Sequence, residues 1–164
     1  MTKIKVKKKK ITTGKIKRNI TTIDNIKFDS EMESKYYLYI KMLKEKGIVK
    51  EFILQPKFLL QEKFIIIDGE RINGSDKDFN RLKRKYKAKT IEAIIYKSDF
   101  DILYADGHRE IVDVKGLATA DFKIKMKMFT YKYPDLHLRL LTLYKGTWID
   151  YNEFIKIKKD MKKR

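Results

Sequence analysis

The stretch SDFDILYADGHREIVDVKG, residues 98–116, decides how this chain is read. Two runs rich in β-branched and aromatic residues flank Asp106-Gly107, a strong turn signal, so the stretch is expected to form a β-hairpin. Side chains alternate faces along a strand. Phe100 and Ile102 therefore share one face, with Asp99 and Asp101 on the other. On the returning strand Val112 and Val114 share a face, with Asp113 and Lys115 opposite. Joining the two apolar sets requires paired positions to sum to an even number, for instance Asp101 opposite Asp113 and Asp99 opposite Lys115. A two-residue loop would give an odd sum and split the apolar set. A three-residue loop with a bulge is expected, Gly107 taking its left-handed position.

In that arrangement Asp99, Asp101, Asp113 and Lys115 gather on one face. Three carboxylates together repel one another by several kcal/mol unless something cationic lies among them. A divalent metal fits, because hard cations take carboxylate oxygens and keep positions for phosphate and water. Lys115 would point at the same place, able to orient an attacking water or neutralise charge in a transition state. That is a minimal machine for phosphodiester hydrolysis. The bare acid-x-Lys pattern carries no weight, since Glu33-Lys35, Asp121-Lys123 and Asp160-Lys162 match it too. A hairpin at a sheet edge with a charged, solvated face is the other reading of the same residues.

Outward from the hairpin, Asp29 or Ser30 can cap a helix whose first turn holds Glu31 and Glu33. Met32, Tyr36, Ile40 and Leu43 give that helix one buried stripe, and Gly47 ends it. Residues 48–55 and 58–67 are expected as strands around Pro56, and residues 91–104 and 110–115 as the hairpin. Residues 70–90 read as a polar insert with a short helix expected within 75–90, either a solvated loop or, through Arg84 and Lys85, a contact to a nucleic-acid backbone. Residues 121–133 are expected as a lysine-bearing helix, 136–144 as a strand, 145–146 as a turn and 150–161 as a last amphipathic helix. The expected order α-β-β-β-β-α-β-α is a mixed α/β sheet domain.

The 164 residues suit one domain, and 43% hydrophobic content is enough for its core. There is no cysteine and only two histidines, His108 and His137, so a bound metal is expected to be held by oxygen, as magnesium or manganese is. No apolar run reaches a membrane span and no hydrophobic signal segment opens the chain, so a cytoplasmic location is expected. Of the net charge of +18, the first 20 residues carry nine and residues 156–164 carry five, which leaves +4 for everything between. Residues 1–25 are thus expected to be a basic flexible arm and 156–164 a basic tail, both suited to neutralising phosphates. Solubility tails, ribosomal-type RNA binding and anionic membrane attachment are the other uses of such ends.

Asp99-Phe100 on one strand and Asp113-Val114-Lys115-Gly116 on the next resemble the PD-(D/E)XK nuclease superfamily, which has the restriction-endonuclease-like fold. Ser98 stands where the motif has proline, and Asp113 where glutamate is commoner. Phe28-Asp29-Ser30-x-x-Glu33 resembles the N-terminal helix motif of short phage endonucleases in the superfamily, and Gln55-Pro56-x-Phe58 their following strand. The lysine-rich helix, the strand after it, Tyr144-Lys145-Gly146 and Tyr151-x-Glu153-Phe154 resemble the endonuclease I group of junction-resolving phage enzymes. The resemblance runs over residues 28–155.

It implies a restriction-endonuclease-like mixed sheet flanked by helices, within a nuclease domain at 26–155. Glu33, Asp99 and Asp113 would hold magnesium or manganese, with the Val114 carbonyl as a further ligand and Lys115 as the catalytic lysine. Asp101 shares their face but does not match the motif. Gln55 would touch the site or satisfy a strand edge. Lys123 and Lys127 would reach phosphates or form a solvated face. The implied activity is cleavage of branched DNA, four-way junctions above all, by a homodimer. Two alternatives stand beside it: a nuclease of the same fold with another DNA substrate, such as a transposase end-cleaving subunit or a nicking enzyme, and a non-catalytic basic nucleic-acid-binding protein.

Overall fold

The computed structural model describes residues 20–163; residues 1–19, most of the expected basic arm, and Arg164 lie outside the described residues. The remainder of that arm is not free. β1 (Thr21–Ile23) and β2 (Ile26–Phe28) form a hairpin whose two turn residues, Asp24 and Asn25, both have positive φ. Asn and Asp tolerate this conformation best among residues with a Cβ. Asp24 accepts hydrogen bonds from the Tyr37 hydroxyl at 2.8 Å and the Lys41 ammonium at 2.7 Å, which tie the hairpin to α1 (Glu31–Glu45).

α1 starts where the sequence says it should: the Ser30 side chain accepts the Glu33 N–H, and Gly47 lies just past its end at φ +71. Its inner face carries Tyr36, Tyr37 and Ile40. The main sheet has five strands in the order β12-β11-β10-β9-β3. These are β3 (Val49–Leu54), β9 (Phe100–Tyr104), β10 (Arg109–Val114), β11 (His137–Tyr144) and β12 (Thr147–Asp150). Only β10 and β11 run parallel, and α3 (Ala120–Lys132) makes the crossover between them.

Strand alternation divides the core into two. Phe100, Ile102, Val112 and Val114 pack under α1 with Phe28 and Leu141. Ile111 and Leu140 face the other way, against Phe122 and Phe129 of α3 and Tyr151 and Phe154 of α4 (Tyr151–Lys162). The result is three layers, with α1 on one side of the sheet and α3 and α4 on the other. No helix among the described residues is long and apolar enough to cross a membrane.

The α/β class agrees with the sequence reading, but the element list is longer. Residues 58–67 and 91–104 are not single strands. β4 (Lys57–Gln61) pairs with β8 (Ile94–Lys97), and β5 (Phe64–Ile67) with β7 (Ala88–Ile91), as one antiparallel ribbon interrupted at 62–63 and 92–93. β6 (Glu70–Ile72) adds a third strand, and α2 (Asp76–Lys83) closes the unit with Phe79 only 2% exposed. The expected polar insert is therefore a folded subunit of the domain with its own small core. β12 was not anticipated; Lys145-Gly146, both at positive φ, make the two-residue hairpin that places it. The expected C-terminal tail is helical, since α4 continues through Lys162.

The loop of the central hairpin has the expected three residues and the expected left-handed Gly107, but it spans 105–107, one position earlier than the expected register needs. Tyr104 N–H donates to the His108 carbonyl at 2.9 Å, Gly107 N–H to the Tyr104 carbonyl at 3.1 Å, and Gly107 has φ +89. A Cβ added there meets no atom within 4 Å, so the cost of replacing the glycine is conformational alone. Gly107→Ala is expected to destabilise the domain by about 1 kcal/mol, a fall in Tm of about 3 °C. An unchanged melting curve would count against this account of the turn.

Candidate functional site

The register of the hairpin brings the acids together differently from the expected one. Phe100 pairs with Val112 and Asp101 with Ile111, which is two residues from the predicted pairing. The even sum holds, because burial of the apolar face fixes parity; it does not fix the absolute offset. The shift sets Asp99, just before β9, across from Asp113. It sets Asp101 beside Arg109, whose guanidinium grips both Asp101 carboxylate oxygens. Asp101 thus belongs to a separate ion pair and leaves the cluster.

Asp113 lies on the central strand β10 and is 1% exposed. Its Oδ2 accepts a hydrogen bond from the buried Tyr96 hydroxyl at 2.8 Å. Lys115 Nζ lies 2.7 Å from Asp113 Oδ1 and 3.8 Å from Asp99 Oδ2. The Lys115 ammonium is thus the charge partner of Asp113 Oδ1, and the Tyr96 hydroxyl is the partner of Oδ2. Asp99 Oδ2 accepts the Val114 N–H at 2.7 Å, and the Asp99 carbonyl accepts the Gln55 N–H at 2.9 Å. Lys115 is anchored by its own N–H on the Leu141 carbonyl, and its ammonium lies 5.7 Å from the Phe122 ring centre.

Glu33, 8% exposed, faces the same cleft from the first turn of α1. Its two oxygens also cap the helix, accepting from the Ser30 hydroxyl at 2.9 Å and the Asp29 N–H at 3.3 Å. The helix-capping and the site reading of Glu33 therefore both describe the same side chain. The cleft has a volume of about 710 Å³, and Gln55, Asp99, Val114 and Lys115 line it with Glu33. Gln55 has φ +53, a strained conformation for a residue with a Cβ, held by its bond to Asp99. Lys35 and Lys97 also line the cleft and escaped the sequence reading. Lys97 and Tyr96 lie on β8, two and three positions before Asp99, where only the ribbon's pairing shows what they face.

Burial drives the Asp99 pKa well above the ordinary aspartate value, and the neighbouring Asp113 and Glu33 charges add to this against the pull of Lys115. Burial also raises Glu33. For Lys115 burial works against the charge, but the Asp99, Asp113 and Glu33 carboxylates outweigh it and hold the ammonium above its usual range. The cluster is thus short of positive charge: one ammonium answers three carboxylates.

Among the described residues no three carboxylates or imidazoles are drawn up as a ready metal site. The Lys115 ammonium occupies the space a cation would take between Asp99 and Asp113. The donor set still suits a hard divalent ion, because all donors are oxygens and the neighbouring acids repel one another, adding to the burial that raises Asp99. The other expected contact residues lie apart from the cleft lining. Lys123 and Lys127 are exposed on α3, and Arg84 and Lys85 are exposed at the end of α2.

Fold and site together define an α/β domain in which an acid pair and a lysine from adjoining strands meet beside a cleft that Asp99 and Lys115 line and Asp113 backs. The chain belongs to the DUF1064 family, described as a protein of unknown function, whose model matches residues 8–146 and so covers every residue of the candidate site. No curated protein and no solved structure matches the chain.

Proposed function

We propose that this protein is a metal-dependent endodeoxyribonuclease of the restriction-endonuclease-like fold that hydrolyses phosphodiester bonds in branched DNA. One observation carries the reading: Asp99 and Lys115 line an open cleft with Glu33, and Asp113, buried on the paired strand, meets the Lys115 ammonium directly behind them. Asp99 and Asp113, with Glu33 and the Val114 carbonyl, would hold magnesium or manganese. Such an ion, when bound, supplies positive charge against the phosphate and acidifies water. Tyr96 keeps the Asp113 carboxylate aimed, and the Val114 N–H does the same for Asp99. Lys115, freed from its ion pairs, stabilises charge developing on the phosphate. Lys35 and Lys97 at the cleft wall help to seat the backbone.

A non-catalytic binder would draw no benefit from buried acids beside the phosphates it must attract. The four-way junction is the favoured substrate, cut by a homodimer because resolution needs two symmetric incisions, in the cytoplasm of the cell that holds the DNA. The test is incubation of the protein with a synthetic four-way junction and a matched linear duplex, in magnesium, manganese or EDTA. Symmetric junction cutting that EDTA abolishes is the expected result. Equal cutting of duplex would move the reading to a nuclease with another DNA substrate. Tight, salt-sensitive binding without any cutting would overturn the enzymatic reading.

A further inference from the structure

We infer that a second hollow, at the far end of α3 from the cleft, is a stacking site for an unpaired base of the nucleic acid held in the cleft; this rests on the nucleic-acid reading above. The hollow, about 610 Å³, lies between β4 and the last turns of α3. Leu60 and Met128 form an apolar floor, and Arg71, Lys127 and Lys132 form a cationic rim. Glu62 is the one acid there, so the rim remains net positive. Tyr131 stands on the edge with 90% of its surface exposed, more than any other large hydrophobic residue described. Its neighbour Phe129, two positions back, is fully buried, so the exposure is not a frayed helix end.

An exposed ring among cations is what single-stranded nucleic acid binds: bases stack on the ring while phosphates meet the charges. The placement relative to the cleft strengthens this. Thr119, the N-cap of α3, lines the cleft, and Lys132, its last residue, lines the hollow. At 1.5 Å per residue the two are about 20 Å apart, about six base steps along a strand. Lys123, Lys127 and Tyr131 recur at every fourth residue and form one exposed stripe between them. Among the described residues neither lysine of the stripe has a carboxylate partner, whereas Lys125, off the stripe, pairs with Asp121. Arg71 is held in position by the Phe64 ring, 4.6 Å away, and by the Asn73 side chain. A strand leaving the cleft would follow the stripe and place a base on Tyr131. This adds a preference for DNA carrying an unpaired segment next to the cut.

The experiment uses the full chain in EDTA, so that no cleavage occurs, with a single-stranded DNA oligonucleotide carrying 2-aminopurine and a duplex of the same sequence. Stacking on a ring quenches this base's fluorescence. The wild type and Tyr131→Phe should quench the single strand equally. Tyr131→Ala should lose the quench and bind about tenfold more weakly. Lys127→Gln should keep the quench and lower the salt slope of binding by about 0.7. Quenching retained in Tyr131→Ala, or dependence on Tyr131 that is equal for the duplex, overturns the inference. The outcome is independent of the cleavage test. A protein that cuts nothing yet shows Tyr131-dependent quenching keeps the hollow and loses the nuclease reading; cutting with Tyr131-independent binding does the reverse.

Discussion

Replacing Lys115 with methionine is expected to lower junction cleavage by about a thousandfold while leaving junction binding within a few-fold. The substitution keeps an unbranched side chain of similar length and removes the ammonium that, among the described residues, pairs with Asp99 and Asp113. Stability should respond as well, in a way that identifies the cause. Asp99 already has a raised pKa, so the stability linked to its proton is complete below the unfolded value near 3.8. It is lost as pH rises through the higher folded value. Without Lys115 the folded value rises further, and the loss grows. The fall in Tm of the variant, measured in EDTA, should therefore be larger at pH 8 than at pH 5. Lys115 is about a third exposed, which limits the loss at pH 8 to about 1–3 kcal/mol. Adding magnesium should restore part of the stability and none of the rate. A variant that cuts within tenfold of wild type, or whose Tm deficit does not depend on pH, would refute the role given to this lysine.

Much of the site was legible because strand alternation and turn chemistry are local rules. Phe100, Ile102, Val112 and Val114 had to share a face, and Gly107 had to supply a positive φ, so the parity of Asp99 and Asp113 followed. The offset of two residues was not legible, since both registers bury the same apolar set. Arg109 was the available clue: only the observed register gives Asp101 a guanidinium at 2.7 Å instead of a third carboxylate. The ribbon of β4, β5, β7 and β8 was hidden for another reason. Its strands are only four or five residues long and the stretch between β5 and β7 is dense in charge, so residues 70–90 resemble a polar loop until Phe79 is seen to be buried. Tyr96 shares this difficulty: nothing near it in sequence says that its hydroxyl reaches Asp113, 17 positions away.

Phe129→Ala is expected to have the largest effect on stability, about 3–5 kcal/mol and a fall in Tm of about 10–15 °C. Its ring is fully buried, with centres 4.9 Å from Phe58, 5.5 Å from Tyr96 and 5.2 Å from Tyr133. It therefore joins α3 to the start of the ribbon, and it backs the tyrosine that aims Asp113. Removing it leaves a cavity beside Tyr96, whose hydroxyl can then drift from the carboxylate. A loss of cleavage should follow that exceeds the loss of folded protein. At 15 °C, where the variant is still folded, the rate per folded molecule should fall about tenfold, the cost of about 1.4 kcal/mol in the transition state. Ile65→Ala is the control, because Ile65 is equally buried but belongs to the small sheet of β5, β6 and β7. It should cost a similar 2–5 kcal/mol in stability and leave the rate per folded molecule unchanged. Equal rates in the two variants would mean that the aromatic cluster supports the fold without positioning the acid. A selective loss in Phe129→Ala would tie the second core directly to the chemistry of the cleft.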